Sequence, residues 1–318
     1  MLESRPVNNP SSMATKRRYG RRIDGALLLD KTSGISSNAA LQRCRQLFEA
    51  ERGGHTGTLD PMAVGLLVLC FGEATKFSGD LLDAGKSYIA RLKLGERTST
   101  ADAEGEMLER RPVSVTGMQL EGVLERFRGE IFQIPPMYSA LKRQGRALYE
   151  YARNGITLDR APRPVTISAL ALENLTGDQA ILSVSCSKGT YVRTLAEDIG
   201  EALGCGAHLL ELRRTRVGAF GIEDAHRFEE IEALDSAQRC SLLLPVDVLV
   251  QHLPPVRLPE HLEGSFLQGR AVGLVPVTGE GPIPTGRVRI YSKGGEFIGL
   301  AISDASGLIH PKRLLAGA

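Results

Sequence analysis

The chain is 318 residues long, 42% hydrophobic and 24% charged, and its 39 basic and 37 acidic residues leave a formal net charge of +2. That composition excludes a disordered or fibrous chain, and the length suits one large domain with a smaller one attached. The longest apolar run, residues 63–71, is too short for a membrane helix, which needs about 20 residues. The basic N-terminus has no apolar segment behind it, so no secretory leader is expected. Five scattered cysteines (Cys44, Cys70, Cys186, Cys205 and Cys240) suit reduced thiols in a cytoplasmic protein better than a disulfide framework.

Residues 1–22 carry Lys16, Arg17, Arg18, Arg21 and Arg22 but few large apolar side chains, which predicts a flexible basic tail. Met13 within it is an alternative start. From Ile23 the pattern becomes regular. Residues 26–29 predict a short buried strand ending at Asp30 and Lys31, with Thr32-Ser33-Gly34 as a turn. Ser36 or Ser37 then caps a helix in which Leu41, Cys44, Leu47 and Phe48 recur at helical spacing, until Gly53-Gly54 breaks it. Tyr88, Ala90, Leu92 and Leu94 alternate with Ile89, Arg91 and Lys93, the pattern of a strand with one wet face. Thr116 opens a second helix with Leu120, Val123, Leu124 and Phe127 inward. Residues 181–186 look like a strand, and residues 192–203 like an amphipathic helix stopped by Gly204. Composition shifts near Gln251, where Pro254, Pro255 and Pro259 make a stiff link. Beyond it, residues 287–291 and 296–302 flank Ser292-Lys293-Gly294-Gly295 in a hairpin pattern, so the last roughly 65 residues predict a small β-rich module.

The densest unusual segment is Gly53-Gly54-His55-Thr56-Gly57-Thr58-Leu59-Asp60-Pro61. Its glycines permit close backbone approaches, and Pro61 biases Asp60 away from helical geometry. Residue types alone leave two readings open: a carboxylate presented for chemistry, or an Asx-type turn in which Asp60 merely bonds the backbone. No G-x-x-x-x-G-K-[ST], C-x-x-C, H-x-x-x-H or G-x-S-x-G occurs, so phosphate-loop, zinc and serine-hydrolase chemistry have no foothold. A second cluster, Lys142, Arg143, Arg146, Arg153, Arg160 and Arg163, faces only Glu150 and Asp159 in its stretch and interleaves with Tyr149 and Tyr151. That combination fits a solvated charged helix or a nucleic-acid contact.

The first loop resembles the catalytic motif of the bacterial tRNA pseudouridine-55 synthases, the TruB family. Gly72-Glu73-Ala74-Thr75-Lys76, Lys86-Ser87-Tyr88 and Pro135-Pro136-Met137-Tyr138-Ser139-Ala140-Leu141-Lys142 follow in family order. So do residues 188–195 (Lys-Gly-Thr-Tyr-Val-Arg-Thr-Leu), Cys205-Gly206-Ala207-His208 and Leu212-Arg213-Arg214. The resemblance spans residue 23 to the C-terminus. It implies an α+β fold: a mixed-sheet catalytic core over residues 23–250, an RNA-binding insertion near 133–163, and a PUA-like domain over 251–318. It further implies isomerisation of the T-loop uridine, position 55 of tRNA, with Asp60 as nucleophile and the base flipped from its stack. Tyr88 matches a ring that stacks on the uracil, Tyr191 a second active-site tyrosine, and Arg193 a partner for Asp60. His55 matches the histidine that holds displaced RNA, and Leu212 an apolar pocket wall. Lys31, Lys76 and Lys142 are candidate phosphate contacts. The insertion and the C-terminal module would bind the tRNA stem-loop.

No metal, organic cofactor, membrane or obligate protein partner is expected, and a monomer is. Two departures stand out: Thr32 where the family usually has proline, and Ser99 where it often has aspartate. Three rivals remain. The chain could be an RNA-binding protein without chemistry, a guide-dependent synthase, or an aspartate glycosidase. The last needs two carboxylates, and the sequence pairs none with Asp60.

Overall fold

The computed structural model describes residues 20–274 and 283–316. Most of the basic tail, Met13 included, lies outside the described residues. Its end does not: the Arg21 amide donates to Glu49 O at 2.8 Å and its guanidinium to Ser236 Oγ at 2.7 Å. Residues 20–22 are exposed, but Arg21 is tied to the segment after α1 and to α7 by these bonds and by the Glu51 amide, which donates to Arg21 O at 3.2 Å.

The chain begins with strand β1 (Gly25–Lys31) and helix α1 (Ser37–Leu47), whose N-cap is Ser36, accepting from the Ala39 amide at 3.1 Å. Strands β2 (Gly53–His55) and β3 (Val64–Phe71) follow, then α2 (Ser78–Leu82) and β4 (Lys86–Leu94). A small hairpin, β5 (Glu96–Thr98) and β6 (Met107–Arg110), precedes α3 (Gly117–Leu124), which Thr116 and Gln119 close with a reciprocal capping box. Next come β7 (Gly129–Gln133), the two-residue strands β8 (Lys142–Arg143) and β9 (Arg146–Ala147), and α4 (Leu148–Arg153). The long strands β10 (Arg163–Thr176) and β11 (Gln179–Cys186) lead to α5 (Val192–Ala202) and β12 (Ala207–Val217). Strand β13 (Phe220–Gly221) and helices α6 (Phe228–Ala233) and α7 (Ser236–Ser241) complete this part.

Nine of these strands form one mixed sheet in the order β1-β3-β12-β4-β11-β10-β7, with β2 and β13 paired at its side, while β5–β6 and β8–β9 are separate two-stranded pairs. Strands β1 and β3 are apolar on both faces because both are covered. Leu27, Leu29, Leu67 and Leu69 pack beneath α1 and α5, while Ala26, Leu28, Leu66 and Val68 pack on the opposite side. Strand β4 alternates as its sequence predicts, with Ala90, Leu92 and Leu94 buried and Ile89 exposed. The pairing of β7 with β10 sets Gln133 opposite Arg163, so the segment between them leaves and rejoins the sheet at adjacent points.

After Gln251 a separate five-stranded sheet forms from β14 (Pro255–Arg257), β15 (Val272–Gly273), β16 (Gly286–Tyr291), β17 (Phe297–Ser303) and β18 (Leu308–Leu314), with α8 (Glu260–Leu267) against it. The hairpin expected around Ser292–Gly295 is the β16–β17 pair. This sheet docks on the first through Phe77 edge-on to Phe297 and through Arg287 to Asp80 at 2.7 Å. Among the described residues, no helix is long and apolar enough to cross a membrane.

One glycine fixes how closely the central strands meet. Gly65 has φ +101°, and a Cβ there would lie 2.3 Å from Arg214 O across the parallel β3–β12 pair. Gly65→Ala should therefore lower stability by about 3 kcal/mol through backbone strain and overpacking together. Urea denaturation of the purified variant measures this, and an unchanged midpoint would refute it.

Candidate active site

Asp60 leaves β2 on a loop tied down at every turn. The Thr56 amide donates to Val68 O at 3.1 Å, and Ser37 Oγ both accepts from the Leu59 amide (2.8 Å) and donates to its carbonyl (3.0 Å). Lys31 Nζ reaches Pro61 O at 3.2 Å, and the Arg214 guanidinium donates to Gly57 O at 3.1 Å. Pro61 keeps Asp60 out of helical geometry, so its side chain stands off the loop.

The carboxylate meets Arg193 in a two-point pair, Nε to Oδ2 at 2.9 Å and Nη2 to Oδ1 at 3.3 Å. Arg193 donates further to Tyr138 O (2.7 Å) and Thr100 O (3.2 Å) and lies 3.5 Å from Asp102 Oδ2. Hydrogen bonds to Asp60, Tyr138 and Thr100, with ion pairs to Asp60 and Asp102, thus hold the guanidinium in place. The side chain of Arg193 is 5% exposed and that of Asp60 36%, so the carboxylate alone is open to a visitor. Burial pushes the Asp60 carboxyl above its ordinary pKa, and Arg193 opposes the rise.

Asp60 sits in a cleft of about 270 Å³ walled by Tyr88, Tyr191, Leu212 and Arg214, with Tyr138 and Ser139 across it. Tyr191 precedes α5 and is fixed through its backbone by the Gln133 side chain, which accepts from its amide at 3.0 Å. Tyr88 and Arg214 are register partners on β4 and β12. Burial raises the Tyr88 pKa, and Arg214 draws it back. The arrangement offers one anchored, accessible carboxylate between aromatic and apolar walls, which suits attack on a flat, uncharged ring or the sugar attached to it.

The structure brings five of the sequence-predicted residues together here: Asp60, Tyr88, Tyr191, Arg193 and Leu212. His55 sits on β2 outside the cleft lining, with its Nδ1 buried and unpartnered among the described residues. Lys142 is exposed on β8, in the segment between β7 and β10. Two lysines are placed differently from expectation. Lys31 is fully buried and spends its ammonium on Thr32 O, Ile35 O and Pro61 O, so as folded it has no donor for a phosphate. Lys76 bonds Glu73 and Leu314 O at 2.9 Å, which makes it a tie between the two sheets.

Sequence reasoning missed Asp102 and Arg214. It paired no second carboxylate with Asp60, whereas Asp102 shares Arg193 with it. Asp102 is buried behind Arg193 and does not line the cleft, so it is not placed as a second glycosidase acid. The signal for Asp102 lay beside one already noted, since Ser99 accepts from the Glu106 amide and closes the loop that carries it.

Comparisons with known proteins place the chain among pseudouridine synthases. The model for the TruB family pseudouridylate synthase N-terminal domain matches residues 45–192. The tRNA pseudouridylate synthase B C-terminal domain matches residues 193–251, and the pseudouridine synthase II TruB C-terminal model residues 254–315. A tRNA pseudouridine synthase B of Aromatoleum aromaticum is 53% identical over 94% of this chain and 95% of its own. Its counterpart from Thiobacillus denitrificans is 54% identical over 92% and 96%. A chain from the crystal structure of a Cbf5-Nop10-Gar1 complex superposes with a TM-score of 0.69 at 25% identity, covering 91% of this chain and 84% of that one.

The raised Asp60 pKa has a consequence for stability. Between the ordinary value of 3.8 and the raised one, the folded state binds a proton more readily than the unfolded chain. Stability from this group is present below that window and lost as pH rises through it. Asp60→Asn, uncharged throughout, should match or exceed the parent in urea midpoint at pH 7, with the gap closing toward pH 4. A variant less stable than the parent at pH 7 would contradict this.

Proposed function

Because this chain belongs to the TruB family of pseudouridylate synthases, which are isomerases, we propose that it converts the T-loop uridine at position 55 of tRNA to pseudouridine. Asp60 is the nucleophile, and the base is flipped into the cleft. The reaction breaks the bond from C1′ to N1 and makes one from C1′ to C5. The C5 proton goes to water and N1 takes one up, so no electrons change hands and no redox cofactor is called for. The observation that carries this reading is the Asp60 carboxylate clamped by Arg193 on the floor of a cleft walled by Tyr88 and Leu212.

Each group then has a task. Arg193 holds the carboxylate in one orientation and resists its protonation in a desolvated site. The Tyr88 ring stacks on the flipped uracil, an interaction worth roughly 1–3 kcal/mol per base. Tyr191 and Leu212 close the pocket around the pyrimidine. His55, on β2 beside the Asp60 loop, meets the displaced RNA. Lys142 and the insertion, where Arg153 lies 5.3 Å over Tyr149 and Arg146 5.4 Å over Tyr151, grip the stem-loop. The C-terminal sheet is the PUA-like RNA-binding domain. The enzyme acts in the cytoplasm as a monomer without a guide RNA, and it needs no protein partner, whereas the similar chain comes from a Cbf5-Nop10-Gar1 complex.

Tritium release from tRNA labelled at uridine C5 tests the reaction. Stoichiometric release by the lone wild-type chain, with none from Asp60→Asn, is the expected result. No release despite tRNA binding would reject the autonomous enzyme in favour of a guide-dependent or purely binding protein.

The two classes of lysine separate in a second measurement. Lys142→Ala should weaken tRNA binding and make the salt dependence of log Kd shallower by about 0.7–0.9. Lys31→Met, which orphans three carbonyls, should instead lower the urea midpoint and leave the salt slope of the folded protein in place. A changed slope for Lys31→Met would contradict its structural assignment.

A further inference from the structure

Arg214 lines the cleft and is only 2% exposed, yet no carboxylate lies within ion-pair distance of it among the described residues. Its acceptors are main-chain oxygens. Nε donates to Leu66 O at 2.7 Å, Nη2 to Gly57 O at 3.1 Å and Nη1 to Thr58 O at 3.5 Å. The remaining neighbour of its charge is the Tyr88 hydroxyl, directly across the β4–β12 register. A buried guanidinium without a counter-ion carries a large desolvation penalty, which a purely structural role would not require.

Two further observations set its position. Gly57 has φ +138°, and a Cβ built there would sit 3.7 Å from Nη1, so the loop backbone runs directly beside the guanidinium. The charge is also felt all round the cleft, since Lys31 on β1, His55 on β2, and Lys86 and Tyr88 on β4 all have Arg214 as their leading charged neighbour. Asp60 does not, as its field is set by Arg193, Asp102 and Lys31.

We infer that Arg214 is a positioning residue of the isomerisation. One buried guanidinium holds the carbonyls two and three residues ahead of Asp60 and stands on the β4–β12 rung opposite Tyr88, so nucleophile loop and stacking ring are positioned by the same side chain. Its unmatched positive charge also favours negative charge arising on the Tyr88 side of the cleft. This rests on the uridine-isomerising reading of the cleft. Failure of that reading would appear as absent tritium release from the wild type, before any variant is compared.

The test uses the full chain with Arg214→Lys, which keeps the charge but not the fork, and Arg214→Gln, which keeps a donor but not the charge. Urea midpoints and tRNA Kd are measured beside single-turnover tritium release from pH 5.5 to 10. Both folded variants should bind tRNA within a few-fold of wild type while the chemical step slows by about 30–100-fold, as misplacement of reacting groups does. In Arg214→Gln the alkaline limb of the rate should move to higher pH, because losing the cation lets the pKa values of Tyr88 and Lys86 rise. The acid limb, governed by Asp60, should stay. An unchanged rate, or a slower rate with both limbs in place, makes Arg214 mere scaffold and overturns the proposal. Should neither variant accumulate folded, Tyr88→Phe decides: it keeps the ring and removes only the oxygen facing Arg214. A slower chemical step at unchanged Kd supports the coupling, and an unchanged rate overturns it.

Discussion

Everything around the cleft is arranged about one guanidinium held between two carboxylates. Arg193 is buried, it pairs with both Asp60 and Asp102, and two of its acceptors are the carbonyls of Thr100 and Tyr138 on otherwise unrelated loops. A buried charge of this kind contributes little net stability, because desolvation offsets most of the attraction. What it does fix is geometry. The β5–β6 hairpin loop, the start of the insertion, helix α5 and the Asp60 loop all converge on atoms that cannot move independently.

The surrounding electrostatics follow from that choice. Strands β1, β3 and β12 place Lys31 and Arg214 beneath the same loop, and α2 closes over Lys86, whose ammonium is spent on Leu82 O and Ala84 O. Burial and Arg214 lower the pKa of Lys86 to about 8. The cleft therefore has a surplus of buried positive groups with Asp60 as its accessible anion. For a protein whose chain as a whole is nearly neutral, this is a local field built by the fold, and average charge gives no hint of it.

The sequence carried the elements whose physics is local. The serine cap of α1, the start of α3 at Thr116 and the alternation of β4 each depend on neighbours within a few positions, and each is found where the sequence places it. Strand β10 escaped notice because its ladder slips twice, between Ile167 and Ala169 and between Leu172 and Asn174, so its inward face does not alternate cleanly. Strand β12 was hidden by Glu211, Arg213, Arg214 and Arg216, charges that no central strand would carry for packing alone. The cleft residues were legible through family motifs rather than through pattern. Asp102, and the structural roles of Lys31 and Lys76, were not, because they depend on contacts between segments 30 to more than 200 positions apart.

The pairing of Gln133 with Arg163 has a consequence for how such a protein can diversify. The segment between them begins and ends on a single rung of the sheet, so its length and sequence can drift without altering any strand register elsewhere. Gln133 also holds the backbone of Tyr191, which couples that rung to the cleft wall. Apart from Tyr138, whose carbonyl holds Arg193, and Ser139 in the cleft wall, the segment can thus vary as a module while the residues around Asp60 keep their places.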